Sequence, residues 1–103
     1  MKLIQRLSDK IEEEIHDAEC YAKMAIELKD TEPEISRTLY QISVEEMDHM
    51  VRLHKAAAAV IADYREKHGD PPAAMQILYD ILHKKHIEAA SAAKAIQALY
   101  KEV

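Results

Sequence analysis

Two glutamates and a histidine stand where the surrounding pattern calls for hydrophobic side chains. These are Glu14, Glu46 and His49. Glu46 and His49 are three residues apart, so on a helix their Cβ atoms lie on one face about 5–6 Å apart. Carboxylate oxygens and imidazole nitrogens bind transition-metal ions at about 2.0–2.2 Å. The three residues are therefore candidate metal ligands, provided that helices bring Glu14 to the other two.

The composition predicts an all-α fold. The 103 residues include one glycine, three prolines, no Phe and no Trp, whereas sheets need turn residues and favour aromatic side chains. Apolar residues make up 49% and charged residues 32%, which is typical of globular proteins. The length suits a single domain over residues 1–103.

Helix-breaking residues occur at two places, which predicts three helices. Thr31 and Glu34 have the spacing of a capping box. In the second place, Gly69 suits the end of a helix and Asp70 suits the N-cap of the next. We predict helices at about 3–30, 33–68 and 71–103, packed as an antiparallel up-and-down bundle.

Each predicted helix carries a stripe at alternating spacings of three and four, the pattern of left-handed bundle packing. Ionisable residues interrupt the stripes near the middle of the bundle. An unpaired buried carboxylate costs several kcal/mol, of a total stability of only about 5–15 kcal/mol, whereas a bound cation would compensate it. The stripes are Ile4, Leu7, Ile11, Glu14, Ala18, Tyr21, Ala25, Leu28; Ile35, Leu39, Ile42, Glu46, His49, Leu53, Ala56, Val60; and Met75, Tyr79, Leu82, His86, Ala89, Ala93, Ile96, Tyr100.

Antiparallel pairing predicts that the three ionisable side chains meet at one level. With the first turn centred near residue 31, Glu14 lies 17 residues before it (31 − 14), and its partner level is residue 48 (31 + 17). Glu46 and His49 lie on either side of that level. Three ligands therefore converge from two helices.

These segments resemble the first half of the ferritin-like di-iron carboxylate proteins, such as bacterioferritins and rubrerythrins. The resemblance rests on Glu14-Ile-His-Asp-Ala-Glu-Cys-Tyr21 followed by Glu46-Met-Asp-His49. In that family the first helix supplies one Glu and the second supplies Glu-x-x-His. The family has a second such set on two further helices, which the third helix here lacks. The resemblance thus implies half a site per chain, completed in a homodimer as in the similar small encapsulin-associated ferritins.

The resemblance also implies a function. A di-iron centre with two irons per dimer would oxidise Fe(II) with oxygen or peroxide, for iron handling or oxidant defence, and the chain would be a ferroxidase-type oxidoreductase. Four carboxylates from two chains would balance the charge of two divalent ions. The oxygen and nitrogen ligand set suits iron or manganese and also accepts zinc.

His86 leaves an alternative open. Reflection about the second turn, near residue 70, places His49 level with residue 91, so His86 lies about five residues, or about 7 Å, nearer that turn. A core histidine is the simpler interpretation. If His86 does bind metal, it could join the other three ligands around one zinc ion within a monomer, and His83 invites the same question. A helical interaction module without metal is the remaining alternative.

The net charge and the cysteine content indicate which classes of partner and which cellular compartment to expect. A net charge of −5 and a pI near 5.6 disfavour nucleic acid, because phosphate binding needs a clustered positive surface. The longest apolar run, 56–62, is too short to span a membrane, and the charged start does not resemble a secretory signal. The single cysteine, Cys20, fits a reducing compartment. We therefore expect a cytoplasmic protein whose partner is a second copy of itself.

Overall fold

The structure is a computed structural model that describes residues 2–103. It consists of three α-helices: α1 (Lys2–Leu28), α2 (Pro33–His68) and α3 (Ala73–Glu102). No strand occurs among the described residues, which confirms the all-helical prediction. The helix α2 occupies the expected range, whereas α1 ends two residues earlier and α3 begins two residues later than expected. No helix in residues 2–103 is both long and apolar enough to cross a membrane.

The glycine that ends α2 is as predicted, whereas the residues that begin α2 and α3 differ from the prediction. Gly69 has a φ of +79°, which L side chains rarely adopt, so glycine is required where α2 ends. The predicted capping box at Thr31 is wrong, because Glu32 precedes α2 and makes no side-chain capping hydrogen bond to the described residues. Asp70 does not cap α3 either, because Pro72 holds that position. Proline's restricted φ, rather than a side-chain cap, starts both helices.

The central helix of the bundle is α1, which packs against both of the others. The backbones of α2 and α3 approach each other at few points, and these helices meet chiefly through side chains. The core is aliphatic and rich in alanine, which lets α1 lie close to its neighbours. Its buried apolar residues are Ile4, Ile11, Ile15, Ala18, Ala22, Ala25, Met47, Met50, Ala57, Ile61, Ala90 and Ala93.

Two buried serines set the register of α1 against α2. The Oγ of Ser36 donates to the carbonyl oxygen of Ala25, and the Oγ of Ser43 donates to that of Ala18 at 2.5 Å. In both pairs the residue numbers add to 61, so the two helices are antiparallel with one constant register. Ser43 also accepts a hydrogen bond from Nε2 of Gln97 on α3 at 2.9 Å, which links all three helices at one point.

Replacement of Ser43 by alanine is expected to destabilise the bundle by about 1–2 kcal/mol, because it removes a buried donor and leaves the Gln97 amide without its acceptor. Urea unfolding followed by circular dichroism measures the change. Ser91→Ala, at an exposed position on α3, is the matched control and should be neutral. Equal stability of S43A and the wild-type chain would contradict the assigned role of Ser43.

The predicted core stripe of α2 is wrong by one residue. The buried residues of α2 are Ser36, Ser43, Met47, Met50, Ala57 and Ile61, and each follows a stripe residue by one position. One residue corresponds to a rotation of about 100° around the helix. Small and flexible side chains therefore face α1, and the larger aliphatic ones lie on the flank of the α1–α2 pair.

This flank is not covered by α3, which packs on the opposite side of α1. Its apolar side chains are only partly buried, and Ile35 at its margin is 52% exposed. The radius of gyration is 16.5 Å, against about 13 Å for a compact chain of this length, so the bundle is elongated. We call this surface the open face and define it by Leu7, Tyr21, Leu39, Ile42 and Leu53 together with Glu14, Glu46 and His49.

Candidate metal centre

The three residues singled out in the sequence converge in the middle of the open face. Glu14 on α1 and Glu46 and His49 on α2 each place one ligand atom within 4.8 Å of the others. The Nδ1 of His49 lies 3.5 Å from Oε2 of Glu14 and 4.0 Å from Oε1 of Glu46. The register of α1 against α2 explains the convergence, since it places Glu14 level with residue 47 (61 − 14).

The two carboxyl groups perturb each other. The pKa of Glu46 rises from 4.5 to about 7, first because its side chain hydrogen-bonds Glu14, and then because of burial and the negative charge of Glu14. The imidazole of His49 opposes this rise. A carboxyl with such a pKa holds a proton near neutrality, and a cation that binds the carboxylate displaces this proton into the solvent.

One oxygen of the pair is buried without compensation. The Oε2 of Glu14 is inaccessible to solvent and has no hydrogen-bond partner among residues 2–103. Two groups can compensate it: the proton that Glu46 holds, or a cation bound between the carboxylates. The buried acceptor and the oxygen and nitrogen donor set both fit a divalent ion such as iron, manganese or zinc.

The ligand set of one chain is incomplete on its outer side. The side chains of Glu14 and Glu46 are 23% and 18% exposed, whereas that of His49 is 51% exposed and reaches the open face. Zinc takes four ligands, and iron in carboxylate sites takes more. The ligands that complete the site must therefore come from water or from a second chain placed on the open face.

The structure does not bring His86 to these carboxylates. His86 is buried on the other side of α1, where its Nε2 lies 3.1 Å from Oγ of Ser8 and 3.9 Å from Oε1 of Glu12. Glu12 and Glu14 point to opposite sides of α1, because two residues turn an α-helix by about 200°. Burial lowers the pKa of His86, and Glu12 opposes this effect.

Sequence reasoning missed the pairing of His54 with His83. The Nε2 of His54 and the Nδ1 of His83 are hydrogen-bonded, and the two ring centroids are 4.5 Å apart. Reflection of residue 54 about the second turn, near residue 70, gives residue 86. The rule that paired Glu14 with α2 would therefore have placed His54 beside the His83–His86 turn of α3.

The raised pKa of Glu46 predicts the pH dependence of stability. The folded chain binds this proton more tightly than the unfolded chain, so the stabilisation is complete below about pH 4.5 and is lost as the pH rises through about 7. Between about pH 5 and pH 8 the metal-free chain should lose on the order of 1 kcal/mol relative to Glu46→Gln, a value reduced for solvent screening. Urea unfolding in EDTA measures both proteins. Parallel pH profiles would contradict the coupling of the two carboxyls.

Comparisons of the chain with protein-family models, with curated proteins and with solved structures found no match.

Proposed function

We propose that this chain is a ferritin-like protein that holds a di-iron centre between two copies of itself and oxidises Fe(II) with oxygen or peroxide, in iron handling or oxidant defence. The observation that carries the proposal is the convergence of Glu14, Glu46 and His49 within 4.8 Å on an apolar surface that α3 leaves uncovered. The resemblance of the two segments to the first half of that family supports the same conclusion.

Charge balance favours two ions and two chains. One chain supplies two carboxylates and one imidazole, so a two-fold dimer supplies four carboxylates and two imidazoles. Four negative charges neutralise two divalent cations, which makes a buried site electrostatically tolerable. A single ion bound by all four carboxylates would leave an uncompensated negative charge in the interface.

The open face supplies a reason to dimerise. Its apolar side chains gain about 25 cal/mol for each Å² removed from water when a second copy covers them. The two carboxyl pairs would then face each other in the interface, and a metal-free dimer would bring four of these groups together. Bound cations remove that repulsion, so metal binding and association are expected to favour each other.

Each residue of the proposed centre would have a separate role. Iron, when bound, supplies the electrons for the reduction of the oxidant. Glu14 and Glu46 hold the cation and set its charge, and Glu46 gives up its proton on binding. His49 supplies the neutral ligand, and the aliphatic rim of Leu39, Ile42 and Leu53 excludes bulk water.

An anaerobic Fe(II) titration, combined with light scattering for molecular mass, tests this function. The expected result is two irons per dimer, followed by oxidation of the bound Fe(II) when oxygen or peroxide is added. Failure of the purified chain to bind iron would contradict the proposal. So would iron bound by a monomer that does not associate at any iron loading.

The ligand set of a single chain also favours a second candidate. Zinc accepts carboxylate and imidazole ligands, and two carboxylates with one imidazole leave room for a fourth ligand to complete a tetrahedral mononuclear site. Such a site would stabilise the α1–α2 pair without turnover. One zinc per monomer, bound in preference to iron and without a change in mass, would distinguish this function from the di-iron protein.

A further inference from the structure

A group of three histidines lies on the side of the bundle opposite the open face. His54 of α2 and His83 and His86 of α3 line one small cavity where the three helices meet, together with Ser8 of α1 and the ring of Tyr79. The three histidines also line a groove of about 320 Å³ between α2 and α3. We call these three side chains the histidine cluster.

Two nitrogens of the cluster face each other from different helices. The Nε2 of His54 and the Nδ1 of His83 are hydrogen-bonded, with the ring planes tilted by 46°. One nitrogen of such a pair carries the proton and the other accepts it. When the donor ring adopts its other tautomer, the proton sits on the second nitrogen of that ring, and the two facing nitrogens each present a lone pair. A divalent cation can then lie between them after a small rotation of the rings.

The surroundings of His54 favour the neutral imidazole, which is the form that binds metal. Burial lowers the pKa of His54, and the neighbouring His83 lowers it further, so the imidazole of His54 is neutral at pH 7. His86, one helical turn from His83, is buried and held by Ser8.

The groove gives the cluster access to solvent. It is half-open and is lined by apolar side chains such as Met50, Val51 and Ile87, with Lys55 and Lys94 at its edges. The groove has room for the water molecules that would complete a coordination shell. Neither the cavity nor the groove has a carboxylate in its lining among the described residues.

We infer that the facing nitrogens of His54 and His83 form a second metal site, which takes an imidazole-preferring ion such as Zn²⁺ or Cu²⁺. Nitrogen ligands without carboxylate favour these ions over manganese and iron, which the carboxylate centre suits better. Because the backbones of α2 and α3 approach at few points, an ion held between the two helices would clamp them together. This inference does not depend on the proposed di-iron function.

Zn²⁺ titration of the full chain by calorimetry tests the site in a Glu46→Gln background, which disables the carboxylate centre. The expected result is one Zn²⁺ per chain, with affinity reduced about 100-fold when either His54→Gln or His83→Gln is added. His68→Gln is the matched control, since His68 is an exposed histidine on the same helix as His54. This control should bind Zn²⁺ as the background does.

Two further measurements distinguish the loss of a metal ligand from unfolding of the variants. Long-range ¹H–¹⁵N spectra of the Glu46→Gln chain should show Zn²⁺-induced shifts at Nε2 of His54 and Nδ1 of His83. The melting temperature of that chain should rise with Zn²⁺, and the rise should be absent in the His83→Gln variant. Unshifted ring nitrogens, or undiminished Zn²⁺ affinity in both histidine variants, would overturn the inference and leave the proposed di-iron function untouched.

Discussion

Replacement of Glu46 by glutamine is expected to abolish tight Fe(II) binding and, with it, the oxidation of Fe(II). The substitution keeps the shape of the side chain but removes one of the two negative charges that face the cation in each chain. A buried divalent ion then lacks charge compensation, and we expect the affinity for Fe(II) to fall by at least about 100-fold. Anaerobic Fe(II) titration measures the affinity, and oxygen consumption after iron loading measures the oxidation.

Glu45→Gln is the matched control for this experiment. Glu45 is the preceding residue on α2 and is exposed, and one residue corresponds to a rotation of about 100° around the helix from Glu46. Its substitution removes the same charge from the chain and should leave iron binding and oxidation at wild-type levels. If E46Q retains wild-type oxidation, or if E45Q loses as much as E46Q, the assignment of the metal centre is wrong.

Replacement of Ile42 by lysine is expected to convert the proposed dimer into a monomer and to remove the proposed stoichiometry of two irons per dimer with it. Ile42 is a half-buried residue of the open face, one helical turn from Glu46. A lysine there would place a charge against its own symmetry mate and against the apolar rim of the partner. The molecular mass measured by light scattering should fall from about twice 11.8 kDa to 11.8 kDa. The helical content should not change, because Ile42 lies at the edge of the α1–α2 contact.

Ile81→Lys on α3 is the control for this substitution. Ile81 is 60% exposed and lies on the outer side of α3, away from the open face. The variant should remain a dimer with two irons. A monomeric I81K with an intact I42K dimer would place the interface on α3, and the di-iron centre could then not lie between the two chains.

The prediction for Ile42 depends on the rotation of α2, which the sequence pattern did not reveal. The spacing of apolar residues predicted a stripe that includes Leu39, Ile42 and Leu53 as the core side of α2. Helical periodicity identifies an apolar side but cannot say which partner covers it. In the folded chain Ser36, Ser43 and Met47 face α1 instead, because small side chains let the two backbones approach and let the serines bond α1 carbonyls.

The level of the candidate ligands along the bundle was available from the sequence. Two short turns fix how far each helix runs past its neighbour, so the distance of Glu14 from the first turn predicts its level on α2. The predicted level was residue 48, and the register in the structure gives 47 (61 − 14). The same arithmetic left His86 short of that level, and the structure places it on the other side of α1 beside Ser8.

The sequence by itself determined the helix count, the antiparallel order and the level at which two glutamates and a histidine meet. These features follow from composition, from helix-breaking residues and from the fixed rise of an α-helix, all of which are local. Only the tertiary structure decided which side of each helix is covered. It placed α3 on the Ser8 side of α1, left the open face uncovered by α3, and paired His54 with His83. Such choices depend on how close two backbones can come, which is a property of two surfaces together and not of either helix alone.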